Sequence, residues 1–302
     1  MRSVVTIDLG AVRRNAARLS RALAGAELWA VVKADGYGHG SVDVGRAALG
    51  AGATALCVAT VPEALALRVA LGPARILVLG PAAASELDDV RAAGLELAVG
   101  DGAIPEGVPV HLKLDTGMGR WGVSELPAPA RDVVGLMSHF ASADCDAAFT
   151  EAQIDRFRQA TDGFPHLTRH LANSAGVLRY PTAAFDAGRC GIALYGISPF
   201  GSAPAEDGLE PALRWESELA QTRLLQPGES TGYGRRFVAA EPTWIGIVPV
   251  GYADGFRRDL TGTEILVAGE RRRVVGAVSM DAFAVVQTLA PTLVGRISTR
   301  VR

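Results

Sequence analysis

The stretch Ala30-Val-Val-Lys-Ala-Asp-Gly-Tyr-Gly-His-Gly40 decides how the chain is read. An apolar run from Leu28 to Val32 reads as a buried strand. It ends at Lys33 and breaks into a loop with three glycines in five positions. Most lysines are solvated surface charges, so one lysine after one strand carries little by itself. A lysine at a strand end is nonetheless where a Schiff-base cofactor is held, and the rest of the chain has to say whether this is such a place.

Working outward, the same pattern recurs. Apolar runs at 28–32, 55–59, 75–79, 95–99, 110–114, 133–137, 166–171 and 185–189 alternate with helical stretches. Asp8 caps the first helix, whose apolar positions Leu9, Val12, Ala16, Leu19 and Leu23 recur every three or four residues, with Gly25 as its stop. A capping box at Thr150 and Gln153 is expected to open a later helix. Continuously apolar strands alternating with helices imply a parallel sheet covered on both faces. Eight such units are the count of a (β/α)8 TIM-like barrel, with a doubly wound open sheet as the alternative. Beyond Pro211 the pattern changes to short β segments at 218–225, 243–250, 264–267, 273–278 and 283–287, so an α/β barrel over 9–211 is followed by a small, mostly β domain over 212–302. The N-terminal strand, 1–8, is expected to join that β domain.

Composition narrows the class. Of 302 residues, 49% are hydrophobic and 21% charged, an ordinary globular balance, and the net charge of −2 gives no footprint for nucleic acid. No apolar run has the length of a membrane span, and the start lacks the pattern of a secretory leader. Cys57, Cys145 and Cys190 are few, odd in number and unpaired in spacing, which suits reduced thiols in a cytoplasmic protein. The five histidines show no metal-ligand spacing, so no metal is expected.

In such barrels reactive groups sit where strands end. Lys33 ends the first strand, Lys113 and Asp115 the fifth, and His139 the sixth. Asn173 and Ser174 follow the seventh, and Arg189, Gly191 and Ile192 the eighth. The loops after the last two strands are where a phosphate is often held. A lysine together with a phosphate site points to pyridoxal phosphate, which carries both an aldehyde and a phosphate. Gly117, Gly119 and Gly122 also fit G-x-G-x-x-G, but Pro127 and Pro129 interrupt the helix that a dinucleotide fold needs there.

The chain resembles the alanine racemases, a pyridoxal phosphate family built from a barrel plus a C-terminal β domain. The likeness runs from Thr6 to about Phe283. Its motifs are the opening stretch, Leu112-Lys-Leu-Asp-Thr-Gly-Met-Gly-Arg120, Ser138-His-Phe-Ala-Ser-Ala-Asp144 and His170-Leu-Ala-Asn-Ser-Ala175. They continue with Arg189-Cys-Gly-Ile-Ala-Leu-Tyr-Gly196, Gly232-Tyr-Gly234, Gly251-Tyr-Ala-Asp-Gly255 and Ser279-Met-Asp281, all in the same order. By that resemblance Lys33 holds the cofactor and is one catalytic base. Tyr233 is the other, supplied by the second subunit of a homodimer. Arg189 meets the pyridine nitrogen, His139 supports the ring, and Tyr37, Asn173, Ser174, Gly191 and Ile192 surround the cofactor. Arg120 and the Met280 backbone orient the substrate, Tyr252 and Asp281 line the entrance, and Lys113 is the lysine that many members carbamylate.

The implied reaction interconverts L-alanine and D-alanine, a precursor of peptidoglycan. The alternatives are a broader-specificity or serine racemase of the same fold and a non-catalytic carrier of the cofactor. Racemisation needs proton transfer on both faces of Cα, which suits two bases. Free lysine and tyrosine titrate near about 10, and burial beside cations lowers both. Arg235 and Arg236 are the cations nearest Tyr233 in sequence. After Gln287 the chain departs from the family: a block that normally precedes the terminal motif at 295–301 is missing, and Thr299 stands where many members carry a tyrosine.

Overall fold

The computed structural model describes residues 2–101, 103–287 and the backbone of 296–299. The chain forms two compact units, one spanning Asp8–Ala212 and the other built from the segments on either side of it. Among the described residues no helix is long and apolar enough to cross a membrane.

The larger unit is the barrel. After β1 (Ser3–Ile7), which belongs to the other unit, its strands are β2 (Glu27–Val31), β3 (Ala53–Val58), β4 (Arg75–Val78), β5 (Glu96–Val99), β6 (Val110–Lys113), β7 (Val133–Met137), β8 (Thr168–His170) and β9 (Ala187–Cys190). All pair in parallel, in the order β8-β7-β6-β5-β4-β3-β2-β9. The remaining seam is narrowed by backbone bonds, Asp186 N to Arg169 O and Arg189 N to Ala172 O, each 2.9 Å. The result is a nearly closed barrel rather than the open sheet, as the eightfold alternation implied. Each strand sits within three residues of its expected position, because buried parallel strands must be apolar on both faces.

Helices α1 (Leu9–Ala22), α2 (Ser41–Leu49), α3 (Val61–Leu71), α4 (Leu87–Ala92), α5 (Ala147–Thr161) and α6 (Ser174–Arg179) cover the barrel. Asp8 caps α1 as expected, accepting from Ala11 N at 3.0 Å. The cap of α5 is a correction. Asp146 accepts from Phe149 N at 3.0 Å, so the helix starts one turn before Thr150. Thr150 and Gln153 are interior positions, and Gln153 instead receives Ala141 N.

The smaller unit is antiparallel. It contains β1, β10 (Leu213–Glu218), β11 (Gln221–Leu225), β12 (Ser230–Thr231), β13 (Phe237–Val238), β14 (Thr243–Val248), β15 (Glu264–Val267), β16 (Glu270–Val275), β17 (Phe283–Gln287) and β18 (Arg296–Thr299). One sheet runs β1-β10-β18-β15-β16-β17-β14-β11, and β12 with β13 forms a separate ribbon. The N-terminal strand pairs with β10 in register Val5 to Trp215. Several β segments differ from expectation. β12, β13 and β10 up to Ser217 were not foreseen, the run at 218–225 is interrupted at Leu219-Ala220, 243–250 stops at Val248, and 273–278 is shifted to Glu270–Val275. The shortened stretch after Gln287 lies outside the described residues up to Gly295.

Candidate functional site

The barrel carries a cavity of about 290 Å3, walled by Lys33, Tyr37, His139, Asn173, Ser174, Arg189, Gly191 and Ile192 among others. Eight residues named from sequence therefore share one cavity, brought together from β9, the turn after β2 and the loops after β7, β8 and β9. Sequence reasoning missed Asp144 and Pro199, which also line it. Their only signal is proximity to the motifs around His139 and Gly196.

Lys33 lies two residues beyond β2 and opens an unusual turn. Ala34, Asp35, Gly36 and Tyr37 all have left-handed backbone, with φ of 52, 50, 62 and 55°. Each non-glycine residue there costs roughly 1–2 kcal/mol, so four in succession persist only where the surroundings enforce them. The enforcing contacts are visible. Glu63, which caps α3 together with Thr60, accepts Ala34 N at 2.7 Å. Asp35 accepts Ser41 N at 2.8 Å, and Gly36 N returns to Val32 O at 2.8 Å. The Tyr37 and His39 rings pack on buried Tyr195, whose hydroxyl donates to Val31 O at 3.0 Å. A Cβ on Gly36 would press on the Ser41 backbone at 3.1 Å, at a φ that favours glycine, so a side chain there would strain the loop.

On the opposite strands, Asn173 caps α6 by accepting Gly176 N at 3.0 Å, and Ser174 Oγ accepts the amides of Gly191 and Ala193 at 3.1 and 3.3 Å. A side chain at Gly191 would overlap Tyr37 Oη. The wall there is bare backbone and hydroxyl, which is what an anionic group can approach. Such a surface could hold a phosphate.

Arg189 is 3% exposed, yet it is well satisfied. Nη1 donates to His170 Nδ1 and, at 2.9 Å, to His170 O, while Nη2 donates to Ser138 O at 2.6 Å and faces His139 Nδ1 at 3.2 Å. Burial lowers it to about 10, so it stays cationic at neutral pH. Burial, followed by the charges of Arg189 and Lys113, pushes His139 down to about 3 and keeps that imidazole neutral. Lys113, at the end of β6, is lowered to about 8 by burial and then by Arg120 and Arg189. Its ammonium donates to the Arg120 carbonyl at 3.4 Å and lies over the Trp121 ring, which Arg120 also faces. The glycines of 117–122 form no dinucleotide loop. They wrap Asp115, whose Oδ1 takes the amides of Gly117, Met118 and Gly119.

The β unit holds the other named residues. Tyr233 lies in the turn between β12 and β13 and is 73% exposed. Arg235 is turned to its own loop, donating to Ser230 Oγ and to Gly228 O at 3.1 Å. Tyr252 and Met280 stand on neighbouring loops tied by backbone bonds, Tyr252 N to Ser279 O and Ala253 N to Met280 O. A Cβ on Gly251 would strike the backbone of Met280 and Asp281, so that approach requires glycine. Arg2 donates to the Asp281 carbonyl at 3.1 Å.

Comparison with known proteins agrees with this architecture. The family model "Alanine racemase, N-terminal domain" matches residues 7–199, and "Alanine racemase, C-terminal domain" matches residues 212–298. An alanine racemase from Beutenbergia cavernae is 43% identical over 92% of this chain and 82% of its own length. One from Frankia casuarinae is 40% identical over 94% and 82%. The solved biosynthetic alanine racemase of Pseudomonas aeruginosa superposes with a TM-score of 0.91 at 37% identity, covering 99% of this chain and 90% of that one. The Bartonella henselae alanine racemase, solved with covalently bound pyridoxal phosphate, gives 0.86 at 25% identity, covering 99% and 90%. With both halves matched in order and the barrel and β unit in place, the chain belongs to the alanine racemase family of amino-acid racemases.

Proposed function

We propose that the protein interconverts L- and D-alanine with pyridoxal phosphate held in the barrel cavity, and that it works as a homodimer with shared active sites. The observation that carries this is the cavity itself, where one lysine, a backbone-lined polar wall and a buried donor-only arginine face the same space. These residues fit the cofactor. Lys33 supplies the amine for its aldehyde, and Ser174, Gly191 and Ile192 form the wall for its phosphate. The Tyr37 hydroxyl comes this close to the Gly191 backbone only because that residue lacks a side chain. Asn173 and Tyr37 complete the walls, and neutral His139 packs rather than protonates.

When bound, the cofactor supplies the electron sink that makes an amino-acid Cα proton removable. The chain supplies the rest. The Lys33 amine moves a proton on one face of Cα, and the Tyr233 phenol moves one on the other. Arg189 donates hydrogen bonds and keeps its own proton, so it would give no proton to a ring nitrogen placed beside it. Arg120 and the Met280 backbone orient the substrate, and Tyr252 and Asp281 form the entrance. Lys113 is the proposed site of a carbamate; its lowered affinity for a proton supports this, since only the neutral amine adds carbon dioxide.

The exposure of Tyr233, Tyr252 and Met280 supports their supply to a partner copy. The cellular role follows from the reaction: D-alanine made in the cytoplasm for peptidoglycan. A non-catalytic carrier is disfavoured, since a carrier has no use for the β unit.

Purified protein should show the absorbance of a lysine-bound cofactor and convert L- to D-alanine. Lys33→Ala should lose both. Tyr233→Phe should keep the band and lose about 10²–10⁴ in rate, the usual worth of a positioned acid–base group. A band without turnover in the unaltered protein would favour the carrier, and full turnover in Tyr233→Phe would remove the two-base reading.

A further inference from the structure

Arg189 is the last member of a polar chain that runs down the inside of the barrel, away from the cavity. Beyond its bond to His170 Nδ1, His170 Nε2 lies 2.8 Å from His111 Nδ1, and His111 Nε2 lies 2.9 Å from Glu96 Oε2. Both imidazoles are fully buried. Glu96 is the first residue of β5, at the end of the barrel opposite the strand ends that form the cavity. Arg75 Nε donates to its other oxygen, Oε1, at 2.7 Å, and the Arg75 guanidinium stacks over Trp29.

The chain can be protonated in only one way. A guanidinium donates and never accepts, so His170 Nδ1 must be the acceptor. A neutral imidazole has one N–H, which His170 must then carry on Nε2 and give to His111 Nδ1. His111 in turn carries its proton on Nε2, and that proton needs an acceptor. Glu96 is one because it is ionised: burial opposes this, but the bonds from His111 and Arg75 hold its carboxyl below the usual range. Burial keeps both histidines neutral, against the pull of Glu96 on His111. The barrel also makes room for the arrangement, since any side chain at Gly135 would overlap the His111 ring.

We propose that Glu96 is a positioning residue for Arg189: the one-way chain Arg189 to His170 to His111 to Glu96 fixes both imidazoles as Nε2–H tautomers and holds the guanidinium at the cavity. The proposal rests on Arg189 facing the cofactor, as argued above. It reaches beyond that reading by assigning part of the active-site geometry to a carboxylate at the far end of the barrel.

The discriminating variant is Glu96→Gln. An amide has one oxygen where the carboxylate has two, and the Arg75 cation claims it. The NH2 group then faces His111 Nε2, which must become an acceptor, and the direction of the chain reverses against Arg189. The measurement is 15N NMR of histidine-labelled holoenzyme, which reports the tautomer of each ring, with steady-state kinetics alongside. In the wild type both rings should be neutral Nε2–H tautomers. In Glu96→Gln at least one should change, and kcat should fall about 10-fold with KM within about twofold, the range of supporting-residue losses. His111→Phe, which cuts the chain, should give a similar kcat loss.

An Nδ1–H tautomer at either ring in the wild type would overturn the proposal. So would a Glu96→Gln enzyme that melts earlier but keeps its tautomers and kcat. Wild-type protein that shows the expected tautomers but never racemises alanine would sink the proposed function and leave the chain standing.

Discussion

The barrel buries a network of polar side chains, whereas the β unit displays its named side chains. In the barrel Arg189, His111 and His170 are almost inaccessible, and each is tied to named partners. In the β unit Tyr233 is 73% exposed, with Tyr252 and Met280 exposed beside backbone-tied loops. A buried charge or imidazole without partners costs several kcal/mol, so the barrel has to build its polar residues into a network. An exposed tyrosine has no such requirement, and its orientation is left to whatever it docks against. The difference teaches that the barrel residues of the proposed site are preorganised within the chain, whereas the β-unit residues are not.

The largest test of that contrast is complementation. If Tyr233 acts in a partner's site, mixing inactive Lys33→Ala and Tyr233→Phe chains should restore activity, because a hybrid dimer has one site in about two with both bases intact. Hybrids purified through two different tags and found inactive would place both bases in the same chain and break the comparison.

A smaller effect separates the two units by acid. All five histidines lie in the barrel unit, and His111, His139 and His170 are held neutral by burial. Their folded affinity for protons is below the unfolded value, so the unfolded state binds more protons as pH falls. Stability is therefore full above about 6.5 and falls below it, by up to about 1.4 kcal/mol per pH unit for each histidine. Hydrogen exchange from pH 7 downward should show barrel amides losing protection before those of β14 and β17. Simultaneous loss in both units would mean that they unfold as one.

The smallest expected effect concerns Lys113. Depleting bicarbonate should lower kcat a few-fold (roughly 1 kcal/mol or less), with recovery on adding it back. No response, together with an unmodified Lys113 by gentle mass spectrometry, would remove the carbamate.

Much of this was legible in sequence. Strand positions followed from apolar runs, and the shared cavity followed from where those runs end, because a parallel barrel sends all its strand ends to one mouth. The α5 cap was misread because Thr150 and Gln153 mimic a capping box, while Asp146, one turn earlier, makes the bond. The β unit was less legible. Its strands are short and half-exposed, and a two-residue break such as Leu219-Ala220 leaves no periodic trace. Arg235 was read as a neighbour of Tyr233, and nothing local shows that it turns to Gly228.

What the sequence by itself determined is the order of elements, the lysine at the end of the first barrel strand and the family motifs, all of which rest on local spacing. Only the tertiary structure decided two things at the heart of the site. The left-handed turn after Lys33 runs against the intrinsic preference of Ala34, Asp35 and Tyr37 and exists because Glu63, 29 residues from Ala34, accepts its amide. The chain behind Arg189 joins residues 19, 59 and 15 positions apart. No local pattern records such pairings, because hydrogen-bond direction inside a barrel is set by which strands are neighbours.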